Sequence, residues 1–288
     1  MNPSEIHALI NLLDDPDKEV FEHVSGKLMA FGSEVIPELE SAWEKTFDPV
    51  LHRRIEDIIH LIQSGNTENH LKEWIETKSD NLLEGVLIVC RYQYPDLKTD
   101  VILKQIDKLK KAIWLEMNYD LTPLEQVNVF NHVLYSIQNF SGNTLNLLDP
   151  QNCYLNHILE SKKGNSISLG ILYLILANEL KMPVYGVNLP QHFILSYHTD
   201  FITAESNNNE IRRSVLFYIN PFNKGMIFTK EDIALFLKRL NIEPEPQYYI
   251  PCDNKTVIKI LIENLIQAYK SSGVNDKVSE LERLIELF

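Results

Sequence analysis

Cysteine is scarce in this chain, with three in 288 residues. Cys90, Cys153 and Cys252 stand far apart, form no Cys-x-x-Cys pair and leave an odd number. No disulfide framework is suggested, and a reducing compartment is expected. Positive charge is short too: 27 Lys and Arg face 40 Asp and Glu, a net charge of −13. Nucleic acids are held through cationic surface, so a nucleic-acid partner is not expected. There is no basic run and no low-complexity segment. The longest apolar run, ISLGILYLILA at 167–177, is about half of the roughly 20 residues that span a bilayer. The opening MNPSEIHALI carries acid early and lacks the basic-then-apolar layout of a secretory signal. These absences lead us to expect a cytoplasmic protein with no membrane partner. Neither GxxxxGK[ST] nor GxGxxG occurs, and the nine histidines fall into no ligand spacing. No cofactor and no metal are therefore expected.

What is present suffices for a sizeable core. Hydrophobic residues make up 44% of the chain and charged residues 23%, ordinary values for a globular protein. Residues 1–63 have helical periodicity. Ile6, Leu9, Ile10 and Leu13 share a face, Asp14-Asp15-Pro16-Asp17 interrupts, and Val20, Val24, Leu28 and Phe31 resume, with Gly32 as the expected C-cap. LLDDPDKEV and FGSEVIPELE resemble a HEAT-type helical repeat. The stretch QSGNTEN (63–69) is the expected boundary. Helical patterning continues to about 140, and Thr122-Pro123-x-Glu125 predicts a capping box that opens a helix.

The pattern then changes. Residues 139–152 predict a polar loop, YLNHILESK a short helix, and 167–180 a helix buried on nearly all sides and ended by Pro183. VYGVNL, HFILSY and SVLFYIN carry β-branched and aromatic residues between Pro, Asn and Gly, and predict strands. The polar centre at 205–210 predicts a hairpin connection or loop. Residues 229–240 and two segments around Ser271-Ser272-Gly273 predict further helices, the last two resembling a tetratricopeptide-type pair. His192 is conspicuous because it follows the turn residues Pro190-Gln191 and opens an apolar strand.

NCYLNHILESKKGNSISLGILYLILANELKMPVYGVNLPQHFILSY (152–197), with YINPFNKG (218–225), resembles the transglutaminase-like superfamily, and within it the SirB-type branch. The resemblance implies an α+β fold: a papain/transglutaminase-like core, with a buried helix on a small antiparallel sheet, flanked by helical repeat-like segments. The expected division is 1–64 HEAT-like, 65–250 core and 251–288 tetratricopeptide-like. The superfamily's chemistry uses a cysteine at the start of the buried helix, a histidine on the next strand and an aspartate on the strand after it. Aligning the family's Gly-x-Pro step with Lys181-Met182-Pro183 places Ser166 in the nucleophile slot, His192 in the base slot and Asn220 in the aspartate slot. Two of the three positions depart from the pattern. A hydroxyl needs a stronger base than a thiol, and asparagine adds no charge to hold an imidazolium.

The expectation is therefore a degenerate site in a protein that binds a protein or peptide partner. The alternative is an acyl hydrolase or amidase that uses Ser166 or Cys153 with His192, with Gln191 as the candidate oxyanion donor. Each residue also has a plainer structural role. Ser166 suits a helix N-cap, and Ser168 competes for its slot. His192 suits a strand-start hydrogen bonder, Asn220 a turn, and Cys153 simple packing.

Overall fold

The computed structural model describes residues 3–118, 120–202 and 211–288. Four helices lead: α1 (Pro3–Asn11), α2 (Lys18–Ala30), α3 (Ile36–Lys45) and α4 (Pro49–Glu73). Asp17 and Asp48 cap α2 and α4 by accepting from the backbone N–H two residues on, satisfying donors that a helix start leaves unpaired. Gly32 follows the end of α2 with φ +65, the left-handed geometry in which glycine meets no Cβ penalty. These helices bury their own apolar cluster, built from Ile6, Leu13, Leu28, Leu39, Ile55 and Ile58 among others.

The stretch 63–69, the expected boundary, is helical within α4, with Ile62 in the first apolar cluster and Leu71 in the second. Ile62 and Leu71 are buried on either side of it, and the Thr67 hydroxyl donates to the Gln63 carbonyl at 3.1 Å. Burial at both ends thus outweighs the weak helix propensity of Ser, Gly and Asn.

A second, larger cluster begins at Leu71 and runs to the C-terminal helices. It gathers α5 (Leu82–Gln93), α6 (Thr99–Glu116), α7 (Pro123–Asn131), α8 (Leu155–Ser161) and α9 (Ser166–Glu179). The predicted capping box of α7 is present, with Thr122 and Glu125 each accepting from the other's backbone N–H. Every residue of α9 from Ile167 to Ala177 is buried. Helices α6 and α8 pack on α9 and on one another, α5 packs on α8, and α11 (Asn254–Ser272) lies against both α9 and α5. The final helix, α12 (Asn275–Ile285), folds back on α11, so Val278, Leu281 and Leu284 join the same cluster as α9.

Two short strands, β1 (Ser141–Gly142) and β2 (Lys163–Gly164), pair in parallel. The main sheet is an antiparallel meander of β3 (Val184–Leu189), β4 (His192–Ile202), β5 (Ile211–Asn220) and β6 (Met226–Phe228), in that order. Alternation splits its residues between two faces. Phe193, Leu195 and Ile219 join the α9 cluster, whereas Val187, Leu189, Ile194 and Tyr218 pack with Ile233 and Leu237 of α10 (Lys230–Arg239). The fold is therefore α+β, with a buried helix against one sheet face and a short amphipathic helix against the other. The predicted connection at 205–210 lies outside the described residues. Among those described, no helix is long and apolar enough to cross a membrane, and no group of three or more His, Cys, Asp or Glu side chains is placed to hold a metal ion.

Candidate functional site

The start of α9 is fixed by Asn165, not by Ser166. Asn165 accepts from the Ser168 N–H at 3.0 Å, and Ser168 Oγ accepts from the Asn165 N–H at 3.1 Å, a reciprocal capping box. This corrects the expected N-cap role of Ser166, which occupies the first helical position. It also removes Ser168 from contention: that hydroxyl is buried and engaged in the cap. At the other end of the helix Lys181 takes φ +57. The position where the family's pattern has glycine thus keeps the left-handed backbone that glycine favours, although a lysine occupies it.

His192 is held by a two-residue hairpin. Leu189 pairs with His192 across Pro190 and Gln191, and Gln191 takes φ +65. Proline presets the first turn position, and the positive φ at the second completes the reversal. The N–H of Phe193, just beyond the turn, donates to Ser166 Oγ at 3.4 Å. The contact is possible because β4 begins its pairing with β5 only at Leu195. The start of α9 and the hairpin therefore meet, and Ser166, Gln191 and His192 line one cavity of about 500 Å³.

The third expected member is placed differently. Asn220 Oδ1 accepts from the N–H groups of Phe222 and Asn223, both at 3.1 Å, making the turn that leads into β6. Asn220 and His192 together line a second cavity of about 380 Å³ on the α10 side. His192 belongs to the sheet face that α10 covers, and its ring lies 5.3 Å from that of Phe236. Among the described residues its imidazole bonds to neither Ser166 nor Asn220. Burial lowers its pKa below the usual histidine value. The three side chains are thus neighbours around one junction without being linked as a proton relay.

Cys153 is elsewhere. It is 2% exposed, accepts from Asn165 Nδ2 at 3.2 Å, and lines neither cavity. Burial pushes its thiol up to about 12, so it carries almost no thiolate at neutral pH. This corrects its role as a replacement nucleophile. Cys252, against the Gly186 carbonyl of β3, is likewise pushed by burial up to about 12.

Residues far away in sequence complete the walls. Glu263, Asn264 and Gln267 come from α11, and Phe236 comes from α10. The i, i+4 spacing of Glu263 and Gln267 places them on one helix face, but polar residues so spaced are ordinary solvated surface. No sequence signal near His192 pointed to them.

Residues 100–263, more than half of the chain, match the transglutaminase-like superfamily. A UPF0162 protein of Xylella fastidiosa (strain 9a5c) is 25% identical over 219 residues, covering 72% of this chain and 71% of its own. A UPF0162 protein of Vibrio cholerae is 27% identical over 180 residues, 62% of each chain. F-box only protein 21 of Homo sapiens is 25% identical over 255 residues, 80% of this chain but 39% of that much longer one. No solved structure matches. The superfamily match covers the buried helix and the sheet and stops at Glu263, short of Asn264 and Gln267 on the α11-side cavity, and the chain belongs to the transglutaminase-like superfamily.

Proposed function

We propose that this is a SirB-type transglutaminase-like protein whose Ser166/His192/Asn220 site is a binding cleft for a protein or peptide segment and performs no acyl transfer. The observation that carries the reading is the separation of the would-be relay. The His192 ring lies beside that of Phe236 on the α10 face, Asn220 Oδ1 is engaged by two turn amides, and Ser166 sits at the start of the helix on the opposite face. Ionising a serine requires a base within hydrogen-bond reach that is itself oriented by a third group. The helical repeat-like parts, HEAT-like at the N-terminus and tetratricopeptide-like at the C-terminus, flank the core. The C-terminal part, through α11, supplies one wall of the cleft, as a repeat-like helix does in a recognition groove.

The decisive experiment is a thiol titration of Ser166→Cys, with Ser166→Cys/His192→Ala as its partner. Iodoacetamide reactivity is followed against pH. The expected result is a thiol pKa that does not change when His192 is removed. A pKa well below the ordinary value of about 8.5, rising on loss of His192, would overturn the reading. It would establish a working base for an acyl hydrolase or amidase.

A further inference from the structure

We propose that the cleft is bipartite and selects a linear peptide carrying one large apolar and one cationic side chain a short distance apart; the inference rests on the reading of the site as a peptide-binding cleft. Two cavities meet at His192, about 380 Å³ on the α10 side and about 500 Å³ on the α11 side. Both lie toward the lower end of the roughly 300–1,000 Å³ typical of small-ligand pockets. They suit side chains of an extended segment better than the surface of a folded domain.

The two halves differ in chemistry. The α10 side is walled by Leu189, Ile194, Phe228, Ile233 and Phe236, with Met226 half-exposed at its edge. An apolar side chain entering there exchanges part of its water for these apolar walls. The α11 side is lined by the carboxamides of Asn188, Gln191 and Gln267, and by Asn264, whose Nδ2 donates to the Ile260 carbonyl at 2.9 Å. Each carries both a donor and an acceptor, the complement of a peptide backbone whose N–H and C=O must both be met.

Charge selects the second side chain. Among the described residues no lysine or arginine lines either cavity. The α10-side carboxylate, Asp232, is engaged with Thr229 in the capping box of α10. Glu263 on α11 is exposed, and its side chain makes no hydrogen bond or ion pair among the described residues. An uncompensated carboxylate beside donor–acceptor amides favours a lysine or arginine side chain and disfavours an acidic one. The net charge of −13 reinforces the same preference at longer range.

The test uses the full-length protein, fluorescently labelled, on an array of immobilised peptides. One position carries Leu, Phe, Ala or Asp, a second carries Lys, Arg, Gln or Glu, and the spacing between them varies. Binding should concentrate on peptides pairing Leu or Phe with Lys or Arg. Glu263→Lys, a surface change, should move the second-position preference from Lys to Glu by about tenfold or more, the equivalent of one 1.4 kcal/mol step. Phe236→Ala should weaken the apolar preference and leave the charge preference in place. Circular dichroism checks that both variants fold. Binding without these preferences, or preferences indifferent to Glu263→Lys, overturns the bipartite cleft alone. Failure of the wild-type protein to bind any peptide on the array overturns the peptide-binding reading with it.

Discussion

Asn220 carries two opposed demands in a single side chain. As a relay member it would have to face His192, yet its Oδ1 holds the N–H groups of Phe222 and Asn223. Asn220→Ala removes the acceptor from a partly buried turn and is expected to lower stability by about 1–2 kcal/mol, read as a fall in the urea midpoint. Asn220→Asp keeps the acceptor and adds a negative charge on the cavity that His192 shares. Stability should barely change, while the His192 pKa, followed by NMR titration, should rise from its burial-lowered position. A His192 titration identical in both proteins would mean that the two groups do not sense each other across the cavity. The identities at 166, 192 and 220 were legible in the sequence. Their orientations were not, because Asn-Pro serves a turn as readily as a catalytic strand end.

At the scale of elements, the junction of helix and hairpin rests on two glycines. A Cβ on Gly170 of α9 would lie 2.6 Å from the Phe193 ring, and one on Gly186 of β3 would lie 2.5 Å from it. The ring is wedged between helix and strand, and so fixes where the hairpin meets the start of α9. Gly170→Ala is expected to destabilise by about 1–3 kcal/mol, the usual range for overpacking. It should also displace the Phe193 N–H from Ser166, visible as a shift of the Phe193 amide resonance. An unchanged melt and spectrum would remove the wedge from the account. The bounds of β3 matched VYGVNL residue for residue because proline and the hairpin turn delimit it. Strand β6, three residues long, gave no periodicity to detect. The polar stretch 63–69 looked like a linker because the burial that keeps it helical comes from its two ends.

Across the whole molecule, helices α4 and α5 meet the last helix through one carboxylate. His60 of α4 and Tyr92 of α5 each hydrogen-bond to Glu280 of α12 at 2.7 Å, on opposite oxygens. The hydrogen bond to Glu280 raises the His60 pKa above 6.5, and it prevails over the lowering effects of burial and of nearby Lys277. A raised histidine pKa contributes stability that is fully present below the unfolded value and is lost as pH rises through the folded one. The urea midpoint of the wild-type protein should therefore fall relative to that of His60→Ala as pH rises from about 6 to about 8. Parallel pH profiles for the two proteins would count against the contact as a stabilising link.

The fold class, the superfamily, most of the helices and strands β3 to β5 were legible in the sequence. Periodicity, caps and turn residues are local, and the motif residues from Gly164 to Gly225 keep their order and spacing. The resemblance to the superfamily also assigned Ser166 and His192 to one site, with Gln191 beside them. Three features came from packing in three dimensions: His192 turns to the α10 face, Asn165 and not Ser166 caps α9, and Cys153 is sealed inside. The same packing brought Glu263, Asn264 and Gln267 to the cleft, from about 70 residues further along the chain. The reason is physical. The side of a strand that a residue occupies follows from local alternation, but what stands opposite it follows from packing among distant elements, which no short pattern encodes.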